Sequence, residues 1–260
     1  MKSVRNVRLP GQGKGSATSA SHSGGDASAL GEGGRIVRRK RATRARLREA
    51  AYEVISEIGV DAAKIKDITD RADVGFGTFY NYFTTKDDLA NQVLDCVIYD
   101  FGRRNVIATR ALRKQDPALV MPVSIRLVIR EAMQTPMWQW WALRPDLLFN
   151  RMRTGFRPFA TRDMQDGLDR GIFRFESENI DTAWALSVWM MVGGIHDVVI
   201  GDQPLESEIF VVTSIMQMMG VPIDVAKKIS STALPQYPPA AIDWNFELGA
   251  SSPQPALTRG

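Results

Sequence analysis

Residues 65–89 read IKDITDRADVGFGTFYNYFTTKDDL. Ile65, Ile68 and Ala72 fall on one face of a short helix, Asp73-Val74 make a tight connection, and Gly75-Phe76-Gly77 open a second short segment running to Phe83. Two short helices joined by about three or four residues describe a helix-turn-helix. Thr85, three residues before Asp88, reads as a capping box that starts a longer helix through Leu89, Val93, Val97 and Phe101. Upstream, Leu47, Ala50, Ala51, Val54, Ile55 and Ile58 form one helical face beginning near Thr43, and Gly59 supplies its stop.

Charge is placed unevenly around this core motif. Residues 1–48 hold 12 Lys and Arg against two acids, so the front carries about +10 while the whole chain is only +4. Such an arm suits a polyanion at the front of the molecule, with an acidic body held away from it. Between Gly11 and Gly34, 17 of 24 residues are Gly, Ser or Ala, which bury too little to offset ordering entropy. The expected layout is a disordered basic arm over 1–42, a helix-turn-helix domain over 43–90, a helical body over 91–234 and an irregular tail over 235–260. Five of the 13 prolines lie in that tail, where Trp244 and Phe246 are candidates for pinning it to the body. Short apolar runs at three- and four-residue spacing continue through roughly 117–134, 138–152, 157–170, 179–199 and 205–219, without sustained alternation. The fold class is therefore all-α: a three-helix head and a larger helical body.

Composition removes several function classes. One cysteine, Cys96, makes no internal disulfide, and His22 and His196 are too few for a Cys/His zinc site, so no metal and no cofactor is expected. No Ser-His-Asp or Cys-His set and no phosphate-cradling glycine loop is present, leaving only an unselected carboxylate pair for an enzyme reading. No apolar run follows Lys2, Arg5 and Arg8 as a secretory signal requires, and the uncharged stretch Thr182–His196 has 15 residues, short of the roughly 20 that span a bilayer. A cytoplasmic protein with no membrane partner is expected.

Ile68 through Leu89, with Ala72, Val74, Gly77-Thr78, Tyr80-Asn81-Tyr82-Phe83, Lys86 and Leu89 in register, resembles the signature of the tetracycline-repressor (TetR) family. The resemblance covers about 50 of the 260 residues. It departs from the family at Lys64, where Thr is common, at Asp73, where Gly is common, and at Gly75-Phe76, where Ser-Lys is common. It implies a DNA-binding regulator in which Tyr80, Tyr82 and Lys86 hold the phosphate backbone of a double-stranded operator. From the residues themselves, Gly75 and Gly77 permit close approach to base edges, Thr78 suits a base or a thymine methyl, and Tyr80, Asn81 and Tyr82 carry polar tips. Phe76 suits either thymine contact or packing, while Phe79 and Phe83 face the core. Lys64 and Lys66 add phosphate contacts. The run that includes Arg38, Arg39, Lys40, Arg41 and Arg44 holds eight positive charges in 14 residues without an acid, and it immediately precedes the motif.

In the family a body of this kind carries a small-molecule pocket, and its last two long helices pair with those of a second subunit. The resemblance thus implies a homodimer, for which 179–199 and 205–219 are the candidate segments, with Gly193-Gly194 permitting close helix approach; the alternative is that both are internal core helices. Trp138, Trp140, Trp141, Phe149, Met152, Phe156, Trp184, Trp189 and Met190 make an aromatic, Met-rich centre. It is either plain core or a site for an apolar or aromatic effector. His196 beside Asp197 either orients a polar ligand group or is a satisfied pair.

Overall fold

The computed structural model describes residues 25–134 and 136–248, with side chains from Gly34 onward apart from Glu178. Among these residues every regular element is a helix. The chain divides into two compact units between Lys40 and Arg41. In the first unit the described residues are helical; in the second lie the head and the body. Helix α1 is Gly25–Ile58, so residues 25–42, expected to be part of an unstructured arm, are helical instead. From residue 35 the run is rich in Arg, Lys, Ala and Leu, strong helix formers, and lacks Pro. The arm's residues 1–24 lie outside the described residues.

Gly59 ends α1 at φ +80°, a left-handed conformation open to glycine, with its N–H on Ile55 O at 2.8 Å. Helix α2 is Ile65–Arg71 and α3 is Phe76–Phe79. Asp73 turns the chain between them at φ 52°, a conformation that Asp tolerates better than most residues. Helix α3 is shorter than the sequence pattern suggests: after Phe79 the chain continues as hydrogen-bonded turns, Asn81 N–H to Thr78 O and Phe83 N–H to Phe79 O. Two glycines in this segment hold down its helix propensity. Leu47, Ile55, Ile68, Phe79, Phe83 and Leu89 are fully or almost fully buried and form the head's core.

Helix α4 is Lys86–Ala108. The cap is split between neighbours: Asp88 N–H donates to Thr85 Oγ1, while the Asp88 carboxylate accepts from Thr84 N–H and not from Thr85. Then come α5 Arg110–Gln115, α6 Val120–Ala132, α7 Pro136–Ala142, α8 Pro145–Gly155, α9 Arg157–Asp169, α10 Ile180–Val199, α11 Glu208–Met218 and α12 Ile223–Ser230. The segment read as one helix over 138–152 is two, because Pro145 disfavours helical backbone at Arg144, which sits at φ −129°, ψ 68°. Helix α10 spans 20 residues, enough by length and composition to cross a membrane, because Asp181 and Asp197 are also helical. It packs against α6, α7, α8, α9 and α11 in the body. A Cβ at Gly194 would lie 2.7 Å from Val211 Cγ2, so α10 and α11 approach as closely as glycine allows.

Two buried charge clusters join distant parts of the body. Glu208, 1% exposed, accepts from Arg126 at 2.9 Å and from Arg130 at 2.8 Å, and Arg126 also donates to Thr232 O beyond α12. Arg104 pairs with Asp100 at 2.7 Å and Glu131 at 3.0 Å and lies over the Phe101 and Tyr237 rings. The tail over 235–248 is irregular; Phe246 stacks on Tyr99 of α4 at 4.1 Å, whereas Trp244, expected to pin the tail to the body, packs instead on Tyr52 of α1 in the head.

Removing one partner of a buried pair leaves the other charge uncompensated, at a cost of about 3–5 kcal/mol. Glu208→Ala, which strands Arg126 between α6 and α11, is therefore expected to lower unfolding free energy by about that amount in urea titration.

Candidate nucleic-acid interface and interior cavity

The head presents most of the residues singled out for DNA on its solvent side. Lys64, Lys66, Gly75, Phe76, Gly77, Tyr80 and Asn81 are exposed, and Thr78 and Tyr82 are half-buried. Phe76 is 53% and Tyr80 55% exposed, and their rings meet edge to face at 5.8 Å, so α3 carries an aromatic ridge supported from below by buried Phe79. A Cβ at Gly77 would meet open space, which leaves the backbone of α3 free for close approach. Arg71 anchors α2 to α1 through Glu53 at 3.0 Å and Glu57 at 3.1 Å. Lys66 is paired with Asp70 on its own helix. In the first unit Arg38, Arg39 and Lys40 are exposed, and Arg41 is exposed at the start of the second.

Two of the implied phosphate-holding cations are engaged inside the protein. Lys86 Nζ donates to the carbonyls of Val60 and, at 2.9 Å, Ala63, so it ties the start of α4 to the α1–α2 connection. An ammonium has three donors, which leaves one for an outside acceptor. Arg44 donates to Glu247 at 2.7 Å and Gln92 at 2.9 Å.

Beyond the head, a cleft of about 520 Å³, part of it open to solvent, lies between α4, α6, α9 and α10. Its walls are Gly102, Asn105 and Val106 of α4, Met121, Ser124, Ile125 and Val128 of α6, Phe159, Ala160 and Asp163 of α9, Trp184 and Met191 of α10, together with Phe156, Thr109 and Arg113. Of the sequence candidates for ligand contact, Phe156 and Trp184 line this space. The others lie elsewhere: Trp138 stacks on Phe101 and meets Trp141 edge-on in the core, and Met152 is fully buried. Phe149 stacks at 4.0 Å on Trp189, which is 46% exposed, and His196 sits part-exposed 3.3 Å from Asp197. The aromatic candidates are divided between core and surface, whereas a cavity forms where packing is incomplete.

The cavity is apolar with a few placed polar groups. Trp184 Nε1 already donates to Arg153 O at 2.9 Å, so the indole offers its ring face. Asn105, 8% exposed, donates through Nδ2 to Ser124 O at 3.2 Å, and its Oδ1 is buried without a partner among the described residues. Asp163 accepts a bidentate pair from Arg113 at 2.7 and 3.1 Å and a further hydrogen bond from Arg162 at 2.9 Å. Sequence reading missed Asn105, Thr109, Ser124, Arg113 and Asp163. One signal was available: the inward face Val97, Phe101 of α4 continues at four-residue spacing with Asn105 and Thr109, polar residues at core positions.

Residues 47–93 match the model for bacterial regulatory proteins of the tetR family, and residues 116–232 match that for a tetracyclin repressor-like C-terminal domain. Among curated proteins the chain is 54% identical over 41 residues to the uncharacterized HTH-type transcriptional regulator YvdT of Bacillus subtilis, covering 16% of this chain and 21% of YvdT. It is 29% identical over 98 residues to the HTH-type transcriptional regulator LuxR of Vibrio harveyi, covering 37% of this chain and 48% of LuxR. The matches thus span about a fifth and about half of those two relatives. Among solved structures, RolR without ligand superposes with TM-score 0.67 at 27% identity over 75% of this chain and 100% of RolR. RolR in complex with the ligand resorcinol superposes with TM-score 0.66 at 29% identity over 77% of this chain and 99% of RolR. With both of its domains matched in order and an all-helical head and body of the same architecture, the chain belongs to the TetR family.

Proposed function

We propose that the protein is a cytoplasmic transcriptional repressor that binds a palindromic operator as a homodimer and is released when a small hydroxylated aromatic ligand enters the cavity. The observation that carries this reading is that one helix serves both sites. Helix α4 begins at Lys86, tied into the head, and ends with Gly102, Asn105 and Val106 in the cavity wall. A ligand that prefers a displaced α4 lowers DNA affinity by its preference for that state, and nothing more is required.

The head suits DNA through the exposed aromatic ridge of Phe76 and Tyr80, the open backbone at Gly77 and the cations Lys64 and Lys66. Arg38, Arg39, Lys40 and Arg41 supply phosphate contacts from the basic run. A single recognition segment this short holds few bases, so two copies about one DNA turn apart are needed. The surface for pairing them is the outer face of α10 and α11, where Leu186 is 48%, Trp189 46% and Phe210 76% exposed. Apolar side chains gathered on one face mark an association surface. The bound resorcinol of RolR supports the ligand class, and so does the cavity chemistry: Phe156, Phe159 and Trp184 line it with aromatic side chains, and Asn105 in its wall has an Oδ1 without a partner among the described residues.

A second reading, a TetR-fold protein acting through a protein partner, draws on the same aromatic ridge, since Gly75-Phe76 replaces the polar pair common in the family. Selection from a randomised duplex library separates the two. A palindromic winner is expected, bound at least ten-fold more weakly by Tyr80→Ala. Removing residues 1–41 is expected to make the log–log salt slope shallower by about 0.9 for each phosphate that those residues neutralise. Enrichment of no sequence would assign the head to a protein partner.

Asn105→Leu removes the waiting acceptor while keeping volume. A hydrogen bond to a ligand is worth about 1 kcal/mol or more, so resorcinol binding measured by calorimetry is expected to weaken about five- to ten-fold. The lost hydrogen bond from Nδ2 to Ser124 O is offset by removal of the buried unpaired oxygen, so the stability of the free protein is expected to change little. Unchanged resorcinol binding would remove Asn105 from the ligand site.

A further inference from the structure

The stretch that follows α12 crosses the molecule from α4 to the head without regular structure, yet its partners are those of a built element. Arg48 on α1 is 3% exposed and pairs with no carboxylate among the described residues. Its Nη1 donates to the carbonyls of Trp244 and Phe246, both at 2.9 Å, and its Nη2 to Gln92 Oε1 of α4 at 2.8 Å. A buried cation held by neutral carbonyls depends on all of them, because withdrawing them leaves a charge among apolar groups. On the head side Trp244 also packs on Tyr52 with ring centroids 5.4 Å apart, and Glu247 takes Arg44. On the α4 side Phe246 stacks on Tyr99 with planes 6° apart, Ala241 N–H donates to Asp100 at 3.3 Å, and Tyr237 donates to Phe101 O at 3.4 Å. Arg104 donates to Pro238 O at 3.3 Å. The α4 residues so gripped, 99–104, overlap or adjoin the cavity residues Gly102 and Asn105.

We propose that residues 235–248 are a brace that couples the head to the cavity end of α4, with Arg48 as the positioning residue that locks it. A displacement of α4 at the cavity is delivered to α1 through the brace as well as along α4 itself, and undocking the brace uncouples the two. This goes beyond the regulator reading and holds whatever the operator and the ligand are.

Cys96 makes the brace measurable. It is the sole cysteine of the chain, and it is fully buried, with its thiol 3.8 Å from Phe246 O. Burial pushes the thiol up to about 12, so the docked state is doubly unreactive. In the full-length protein, reaction of Cys96 with dithionitrobenzoate at pH 8 is expected to be at least 100-fold slower than that of a free thiol. The double variant Trp244→Ala/Phe246→Ala is expected to react at least ten-fold faster than wild type. Hydrogen exchange should then show reduced protection over 44–57 and 92–104 while 120–132 and 180–199 keep theirs, and Trp244→Phe/Phe246→Tyr should restore it. A second measurement needs no variant: in wild type, Cys96 labelling and exchange over 44–57 should share one opening free energy and one denaturant dependence, below those of α10. A fast thiol in the native protein, a freed thiol with 44–57 still protected, or separate opening energies in wild type would each overturn the brace.

Discussion

Helix α4 is one rod running through the hydrophobic core that head and body share. Its first turns bury Leu89 and Val93 beneath the head, and its later turns bury Val97, Ile98 and Phe101 in the body. A helix of 23 residues is roughly 34 Å long and bends little without Pro or a bulge. The head and body ends of this shared core therefore cannot be adjusted independently. The close fit of α8 on this rod, where a Cβ at Gly155 would come 2.5 Å from Ile98 Cγ2, narrows the choice of positions further. Interiors packed in this way move between discrete arrangements more readily than they deform smoothly.

Polar burial decides which interactions around that rod are permanent. The Arg126–Glu208–Arg130 cluster holds α6 to α11 away from the cavity, with every carboxylate oxygen engaged by a guanidinium. Beside the cavity, Asn105 Nδ2 donates to Ser124 O of α6, while its Oδ1 has no partner among the described residues. A fully satisfied cluster resists change, whereas an unsatisfied buried oxygen is a standing cost that a bound donor relieves.

The exposed aromatic side chains follow the same division between support and function. Phe79 and Phe83 are buried at 0% and 2%, whereas Phe76 and Tyr80, three residues before and one after Phe79, stay in solvent. Burying Phe79 orients the short segment, and that orientation places Phe76 and Tyr80 outward. Lys86 and Arg44 are engaged within the protein, and Lys86 has the structural task of joining α4 to the α1–α2 connection of the head.

The all-helical class, the helix-turn-helix, the Gly59 stop, the tight connection at Asp73 and the cap at Thr85 were legible in the sequence, because each depends on residues within a few positions of one another. The inward placement of Phe79 and Phe83 was legible for the same reason, whereas Phe76 reads either way in the sequence and only the structure shows it exposed. The split at Pro145 was present in the sequence too, though apolar periodicity on both sides obscured it. What only the tertiary structure decided is where packing falls short and which distant groups meet. The cavity draws on four helices, so the aromatic residues that look like a site are spread between core and surface, and the polar residues of the site look like ordinary helix positions. Arg48 reads as one more charge in a basic run, yet it is buried against carbonyls 196 and 198 residues away. Periodicity and capping act over one or two helical turns, whereas the partner of a buried charge is chosen by how whole helices pack.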